Sequence, residues 1–168
     1  MAACQIPEED SGRWVHLAGT FDGSAWNLYR NGELAAHQKA EVGAVRVAGA
    51  EWAIGAKGGG GDRFWHGCIA CVHLWNRARS QDEIATTARD SPTGNEVGLL
   101  RHWPMNDGGG KSVSEEVGGE DGQVKGGCVW VSAALQTVVK KDTSSFYELL
   151  GVDKVSCAPR QWSEAVEV

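Results

Sequence analysis

Two turn dipeptides, Asp22-Gly23 and Asn31-Gly32, constrain the fold of this chain more than any other feature. Asp-Gly and Asn-Gly tolerate the positive φ angles that tight hairpin turns require, and each dipeptide lies between short segments of strand-forming residues. The segment before them, residues 14–20, alternates side chains between two faces as a strand does. The pattern therefore predicts two successive hairpins that form an antiparallel meander.

Most of the remaining chain has the same character of short strands separated by glycine-rich turns. Further strands are predicted at residues 44–47, 51–54, 64–75 and 98–105, of which 64–75 is the longest apolar segment. A glycine-rich loop region is predicted at 106–122 and a hairpin at 123–132. One short helix is predicted after Ser80, because Ser80 and Glu83 have the spacing of a capping box. The local patterns indicate an all-β chain with a single short helix.

Composition excludes several classes of partner. The length of 168 residues and a hydrophobic content of 42% predict one folded domain. A net charge of -6, with scattered basic residues, argues against binding to nucleic acid or anionic lipid. The chain has neither an apolar run of the ~20 residues that span a bilayer nor the pattern of a signal peptide, so membrane insertion is not expected. Its five cysteines cannot all pair internally, which favours a reducing intracellular or organellar compartment.

Six segments of the chain together form a more specific pattern. They are Trp14-Val15-His16-Leu17-Ala18-Gly19-Thr20-Phe21-Asp22-Gly23, Leu28-Tyr29-Arg30-Asn31-Gly32-Glu33, Ile54-Gly55, Phe64-Trp65-His66-Gly67-Cys68-Ile69, Val72-His73-Leu74-Trp75-Asn76-Arg77-Ala78-Arg79-Ser80 and Glu83-Ile84. In order and rough spacing these segments resemble the laminin-G-like jelly-roll family, also described as concanavalin A-like or pentraxin-like. The resemblance implies an antiparallel jelly-roll β-sandwich with one short helix.

The chain departs from the family pattern in two ways. Ala70 and Cys71 stand where the family usually has an acidic pair, so no role of those carboxylates carries over. Residues 12–90 resemble the second half of such a domain, whereas 98–130 resemble its beginning. Three explanations fit this order: the chain is a fragment of a tandem array, a circular permutation, or a subunit that borrows strands from a partner. We therefore expect an N-terminal tail at 1–11, a laminin-G-like sandwich at 12–135, either incomplete or permuted, and a C-terminal tail with a short helical turn at 136–168.

No catalytic motif is present, and we expect the protein not to be an enzyme. The Glu-x-Asp-x-x-Glu string of hydrolases on related sandwiches is absent, as are a nucleophile elbow and a His-Glu-x-x-His helix. Residues 108–112 end like a phosphate-binding loop, but Met105 replaces its first glycine, and no helical pattern follows. A surface loop is the better interpretation.

Cys68 and Cys71 form a Cys-x-x-Cys pair without a second pair, which is a weak indication of zinc. Positions three apart on an extended strand point to opposite faces, so the pair favours packing over metal binding. His66 shares one face with Cys68, and His73 shares the other with Cys71. A bulge that gathered these residues would create a site.

The loops and tryptophans supply the candidate binding residues. Trp14, Trp75 and Trp103 are expected in the core. No cofactor is expected; calcium is the alternative, with Asp62 and Asp107 as candidate ligands because loop carboxylates suit a hard cation. The candidate binding residues combine two tryptophans with the glycine-rich loop and are Trp26, Gly58, Gly59, Gly60, Gly61, Asp62 and Trp65.

The function expected from the resemblance is that of a non-catalytic interaction module or structural subunit. Its partners would be protein subunits of a larger assembly, reached through sandwich edges, loops and the C-terminal tail. A sandwich that lacks strands exposes unpaired amides and an apolar face unless another element covers them. The alternative is a carbohydrate-binding, calcium-dependent, lectin-like module.

Overall fold

The computed structural model describes residues 4–5, 7–40, 52–56 and 64–131, together with the backbone of two short C-terminal strands. After a 3-10 turn at Glu8–Asp10, the chain forms ten strands and one α-helix among these residues. In chain order the elements are β1 (Leu17–Phe21), β2 (Ala25–Arg30), β3 (Glu33–Lys39), β4 (Val72–Trp75), α1 (Gln81–Thr87), β5 (Leu99–Trp103), β6 (Ser112–Val113), β7 (Gly122–Gln123), β8 (Trp130–Val131), β9 (Ser156–Cys157) and β10 (Val166–Glu167).

Strands β1, β2 and β3 form the predicted meander. In the first turn, one carboxylate oxygen of Asp22 accepts hydrogen bonds from the amides of Ser24 and Ala25, each at 2.8 Å. In the second turn, Asn31 and Gly32 have φ angles of 52° and 82°, the left-handed conformations that the Asn-Gly pair predicted. Local turn chemistry thus sets the antiparallel register of all three strands.

The main sheet has six strands in the order β3-β2-β1-β10-β4-β5. Pairing is antiparallel within β1–β3 and between β4 and β5. The two-residue strand β10 lies between β1 and β4 and is parallel to both. The all-β fold is confirmed, with one α-helix among the described residues, and the main sheet is mixed only where β10 enters it.

The helix begins at the predicted capping box. Ser80 Oγ accepts from the Glu83 amide at 3.3 Å, and a Glu83 carboxylate oxygen accepts from the Ser80 amide at 2.8 Å. Ile84 is 0% exposed and packs with Ala18 and Tyr29 of the sheet. The helix therefore covers one face of β1 and β2.

The chain after β5 folds over the opposite face of β4 and β5. Val72, Met105 and Val113 form a buried cluster there, against which Trp103 and Trp130 pack. The segment that resembles the beginning of a family domain thus pairs with the segment that resembles its second half, through β4 and β5. A circular permutation requires this pairing. The predicted domain limits at 1–11, 12–135 and 136–168 stay a prediction.

Several local predictions were wrong. Residues 52–54, expected as part of a strand, are irregular. The strand in the segment 64–75 begins only at Val72, because Cys71 has a φ of 56° and interrupts the extended backbone. The hairpin predicted at 123–132 instead pairs β6 with β7 and so encloses part of the predicted loop region. Buried Val113 anchors β6 in this position. The predicted strand 44–47 and the helical turn of the tail lie outside the described residues.

Among the residues that the structure describes, no helix has both the length and the apolar character needed to cross a membrane.

Candidate functional site

The sheet formed by β1–β3 has one covered face and one that is not fully covered. Ala18, Thr20 and Tyr29 face the helix and are buried. The residues that alternate with them point to the opposite side, which we call the open face. The strand register places the apolar residues of the open face next to one another, and none of them is buried. They are Leu17, Phe21, Trp26, Leu28 and Ala36.

Trp26 is the most exposed aromatic residue of the open face. Its indole stacks on the ring of Phe21, with centroids 4.4 Å apart and planes inclined by 26°, and the residue is 42% exposed. At the other end of this face, Asp10 forms a two-pronged ion pair with Arg30, in which Nε donates at 2.6 Å. The N-terminal segment therefore covers the Arg30 end and leaves the aromatic pair accessible.

A second exposed apolar group lies beside the glycine-rich loop. Trp65 is 46% exposed, and its amide donates to the Gly55 carbonyl at 2.7 Å. Ile54 and Phe64, which precede these two hydrogen-bonded residues in the chain, are exposed, and Trp52 is 77% exposed. The structure thus leaves Trp26 and Trp65 accessible, and each has contacts of its own. The predicted loop residues Gly58, Gly59, Gly60, Gly61 and Asp62 lie outside the described residues.

On the helix side of β4 and β5, three buried side chains converge, and we call them the Cys-His-His cluster: Cys71, His73 and His102. Cys71 Sγ lies 3.3 Å from His73 Nε2 and 3.6 Å from His102 Nε2. His73 and His102 are direct partners in the β4–β5 register, so their rings lie side by side. The three residues are 5%, 0% and 3% exposed, respectively.

Burial sets the protonation of this cluster. It lowers the pKa of His73 to about 3, with a smaller contribution from the neighbouring His102, and it also lowers the pKa of His102. The same burial raises the pKa of the Cys71 thiol. At neutral pH the cluster therefore holds two neutral imidazoles and a protonated thiol. A carboxylate oxygen of Glu116 lies 3.6 Å from His102 Nδ1.

The comparison with known families supports the resemblance that the strands suggested. Residues 4–85 match a laminin G family model described as the concanavalin A-like lectin/glucanases superfamily. Residues 4–85 of the chain are therefore laminin-G-like. Neither a curated protein nor a solved structure gave a match. The matched segment ends within α1, so it includes β1–β4 and the residues of the open face.

The laminin-G-like domain places the predicted cysteines and histidines only partly as expected. Cys71 and His73 do share a face, as the alternation predicted. Cys68 packs with the apolar cluster around Val131, in agreement with the packing interpretation, and His66 is exposed. The sequence did not predict that His102 joins the cluster, because nothing in local spacing pairs it with a strand some thirty residues earlier.

The structure also describes the three tryptophans predicted in the core and one of the two candidate calcium ligands. Trp14 and Trp103 are partly buried and pack against apolar clusters, and partly buried Trp75 lies 4.0 Å from the Arg79 guanidinium, so none of the three is as fully buried as the core prediction expected. One oxygen of Asp107 accepts from the amide and hydroxyl of Ser114, at 3.1 and 2.5 Å. The calcium site at Asp62 and Asp107 stays a prediction, because only Asp107 is described.

We expect a pH dependence of stability from His16, which is 0% exposed and has no hydrogen-bond partner for either ring nitrogen among the described residues. Burial lowers the pKa of His16 to about 4, and Arg79 adds to this effect. In the unfolded chain the pKa is about 6.5. Between these values the unfolded state binds a proton that the folded state does not, so stability falls as the pH falls, by on the order of 2–3 kcal/mol.

Urea denaturation between about pH 7.5 and about pH 4.5 measures this loss. The positive charge of Arg79 lowers the pKa of both His16 and its neighbour His73. His16→Leu removes the titrating imidazole, so the variant should lose less stability than the wild type over this range. Parallel pH profiles for the two proteins would contradict the assignment.

Proposed function

We propose that the laminin-G-like domain is a non-catalytic interaction module that docks on a protein partner through the open face. The observation that carries the proposal is the row of apolar side chains on this face, none of which is buried. Removing apolar surface from water contributes about 25 cal/mol per Å². A partner that covers this face therefore gains much of the stabilisation that the second sheet of a complete sandwich provides.

The edge of the sheet supports the same proposal. Strand β3 is the outer strand beside β2, and apart from half-buried Ala36 its side chains are exposed. An edge strand presents backbone amides and carbonyls to an added strand, and such addition combines main-chain hydrogen bonds with side-chain pockets. The partner expected from this chemistry supplies an extended strand along β3 and apolar side chains over the open face.

Trp26 is the expected anchor of the interface. Large aromatic side chains contribute most of the binding energy in many protein interfaces, above all where neighbouring contacts exclude water. The stacking of Trp26 on Phe21 restricts the indole before binding, which reduces the entropy lost on docking.

The test compares two leucine substitutions of the same kind at different places in the sheet. Leu28 lies on the open face, whereas Leu100 is 39% exposed on β5, the opposite edge strand of the main sheet. In epitope-tagged chains isolated from their native source, Leu28→Asp should weaken the complex by about 100-fold, the loss typical of an interface anchor. Leu100→Asp should leave it intact. Native mass spectrometry identifies the co-purifying chains and measures their dissociation.

Two results would contradict the proposal. One is a wild-type protein that is monomeric by light scattering and carries no second chain in the native material. The other is a complex that Leu28→Asp and Leu100→Asp weaken to the same extent.

Glycan binding is the second candidate function, and the exposed Trp26 platform is the observation that favours it. Sugar rings stack on accessible indoles, as protein side chains do. Screening the chain against glycans, with and without a chelator, separates the two candidates. Binding that Trp26→Ala abolishes and that chelation removes would favour the calcium-dependent lectin.

A further inference from the structure

We propose that the Cys-His-His cluster binds a zinc ion that clips β4 to β5. Cys71 Sγ and one ring nitrogen of each histidine lie within 4.8 Å of one another. The nitrogens in contact with Sγ are His73 Nε2 and His102 Nε2, which are the proposed donors. Zinc binds thiolate sulfur at about 2.3 Å and imidazole nitrogen at about 2.0–2.1 Å in a tetrahedral arrangement, which separates a sulfur from a nitrogen by about 3.6 Å. The two observed sulfur–nitrogen distances, 3.3 and 3.6 Å, match this separation.

Groups around the donors fit the needs of a metal site. The Glu116 carboxylate lies 3.6 Å from His102 Nδ1, too far for a hydrogen bond, but its charge favours a proton on Nδ1 and so the tautomer whose Nε2 lone pair is free for a metal. The Ser91 hydroxyl lies 2.9 Å from Cys71 Sγ, from where it can donate a hydrogen bond to a thiolate. The Ser91 contact thus favours the thiolate, and the Glu116 charge favours the ligating tautomer of His102.

Without a metal the cluster is poorly satisfied. His73 is fully buried, yet its Nδ1 has no hydrogen-bond partner among the described residues. Thiol sulfur is only a weak donor and acceptor, so its contacts with the two imidazoles compensate little of the cost of burying them. Coordination would replace these weak contacts with bonds to a shared ion, and the proton of the Cys71 thiol would be released to solvent as the thiolate binds.

The donor set and the charge select the metal. Thiolate and imidazole suit zinc and copper, whereas magnesium and calcium require oxygen ligands. A divalent ion with one thiolate and the nearby Glu116 carboxylate gives a formally neutral site, while a monovalent copper ion would leave a net negative charge. Three protein donors leave the fourth tetrahedral position to a water molecule.

The backbone at Cys71 is a further indication. Cys71 has a φ of 56°, a left-handed conformation that non-glycine residues rarely adopt and that costs energy. This conformation ends the approach to β4 and places Sγ beside the His73 ring. The site would join the segment that resembles the second half of a family domain to the segment that resembles its beginning.

The test titrates the full chain, stripped of metal by a chelator, with Co²⁺ and then with Zn²⁺. Co²⁺ should bind at one equivalent with a thiolate-to-cobalt charge-transfer band, and Zn²⁺ should displace it. Cys71→Ser should abolish the band, and His102→Gln should weaken zinc binding by at least about 100-fold. Glu116→Gln should weaken it by about 10-fold, as expected of a residue that orients a ligand.

The matched control is Cys68→Ser, since Cys68 lies three residues earlier and packs elsewhere. It should leave the charge-transfer band and the zinc affinity unchanged. A wild-type protein without a saturable thiolate–cobalt band overturns the proposal, whatever the variants do. So does a band that Cys71→Ser retains, one that Cys68→Ser removes, or binding of Cu⁺ without binding of Zn²⁺.

Discussion

Ile84→Ala should reduce the free energy of unfolding by about 2–5 kcal/mol, the range for truncating a fully buried aliphatic side chain. Ile84 is 0% exposed and is the side chain through which α1 packs on Ala18 and Tyr29. Its removal leaves a cavity between the helix and the sheet, because the backbone on both sides is held by hydrogen bonds. Urea denaturation followed by tryptophan fluorescence measures the loss.

Two companion variants sharpen this measurement. Ile84→Val removes a single methyl group and should cost about 0.5–1.5 kcal/mol. Gln81→Ala changes an exposed position of the same helix and should alter stability by less than about 0.5 kcal/mol. Equal effects of Ile84→Ala and Gln81→Ala would mean that the helix does not pack on this face.

Gly32→Ala should also destabilise the protein by about 2–5 kcal/mol, for two separate reasons. Gly32 has a φ of 82°, which disfavours any residue with a Cβ atom. A Cβ at this position would also lie 2.8 Å from the Cα atom of Ala85 in α1, where neither backbone can yield easily. The variant must therefore distort the second hairpin or displace the helix.

Gly23→Ala is the matched control in the first hairpin. Its φ is 95°, but a Cβ there would meet nothing within 4 Å. This variant should show only the conformational cost, about 1–2 kcal/mol. If the two alanine variants are equally stable in denaturation, the close approach of α1 to the Asn31-Gly32 turn is wrong.

The features that the sequence predicted depend on chemistry between near neighbours. The Asp22-Gly23 and Asn31-Gly32 turns and the Ser80 capping box involve atoms a few residues apart, and all three occur as expected. The strand that was expected to continue through Cys71 fails for a related reason. A left-handed cysteine has no signature in the pattern of apolar residues, because the pattern records side chains and not φ.

The candidate sites depend on contacts that sequence spacing does not determine. His73 meets His102 through the β4–β5 register, which follows from how distant segments pair. The open face could not be predicted from the sequence for a different reason. Both faces of residues 14–20 carry apolar side chains, so alternation alone did not reveal that the helix covers the face of Ala18 and leaves Leu17 and Leu28 on the other side.

The most direct test of the central proposal, that another protein covers the open face, is site-specific photo-crosslinking in the native setting. A benzophenone amino acid placed at Leu28 reports on the open face, and the same group at Leu100 reports on β5, the opposite edge strand of the sheet. We expect a crosslinked adduct with one partner chain from position 28 and none from position 100. Adducts of equal yield from both positions, or none from position 28, would contradict the proposed function.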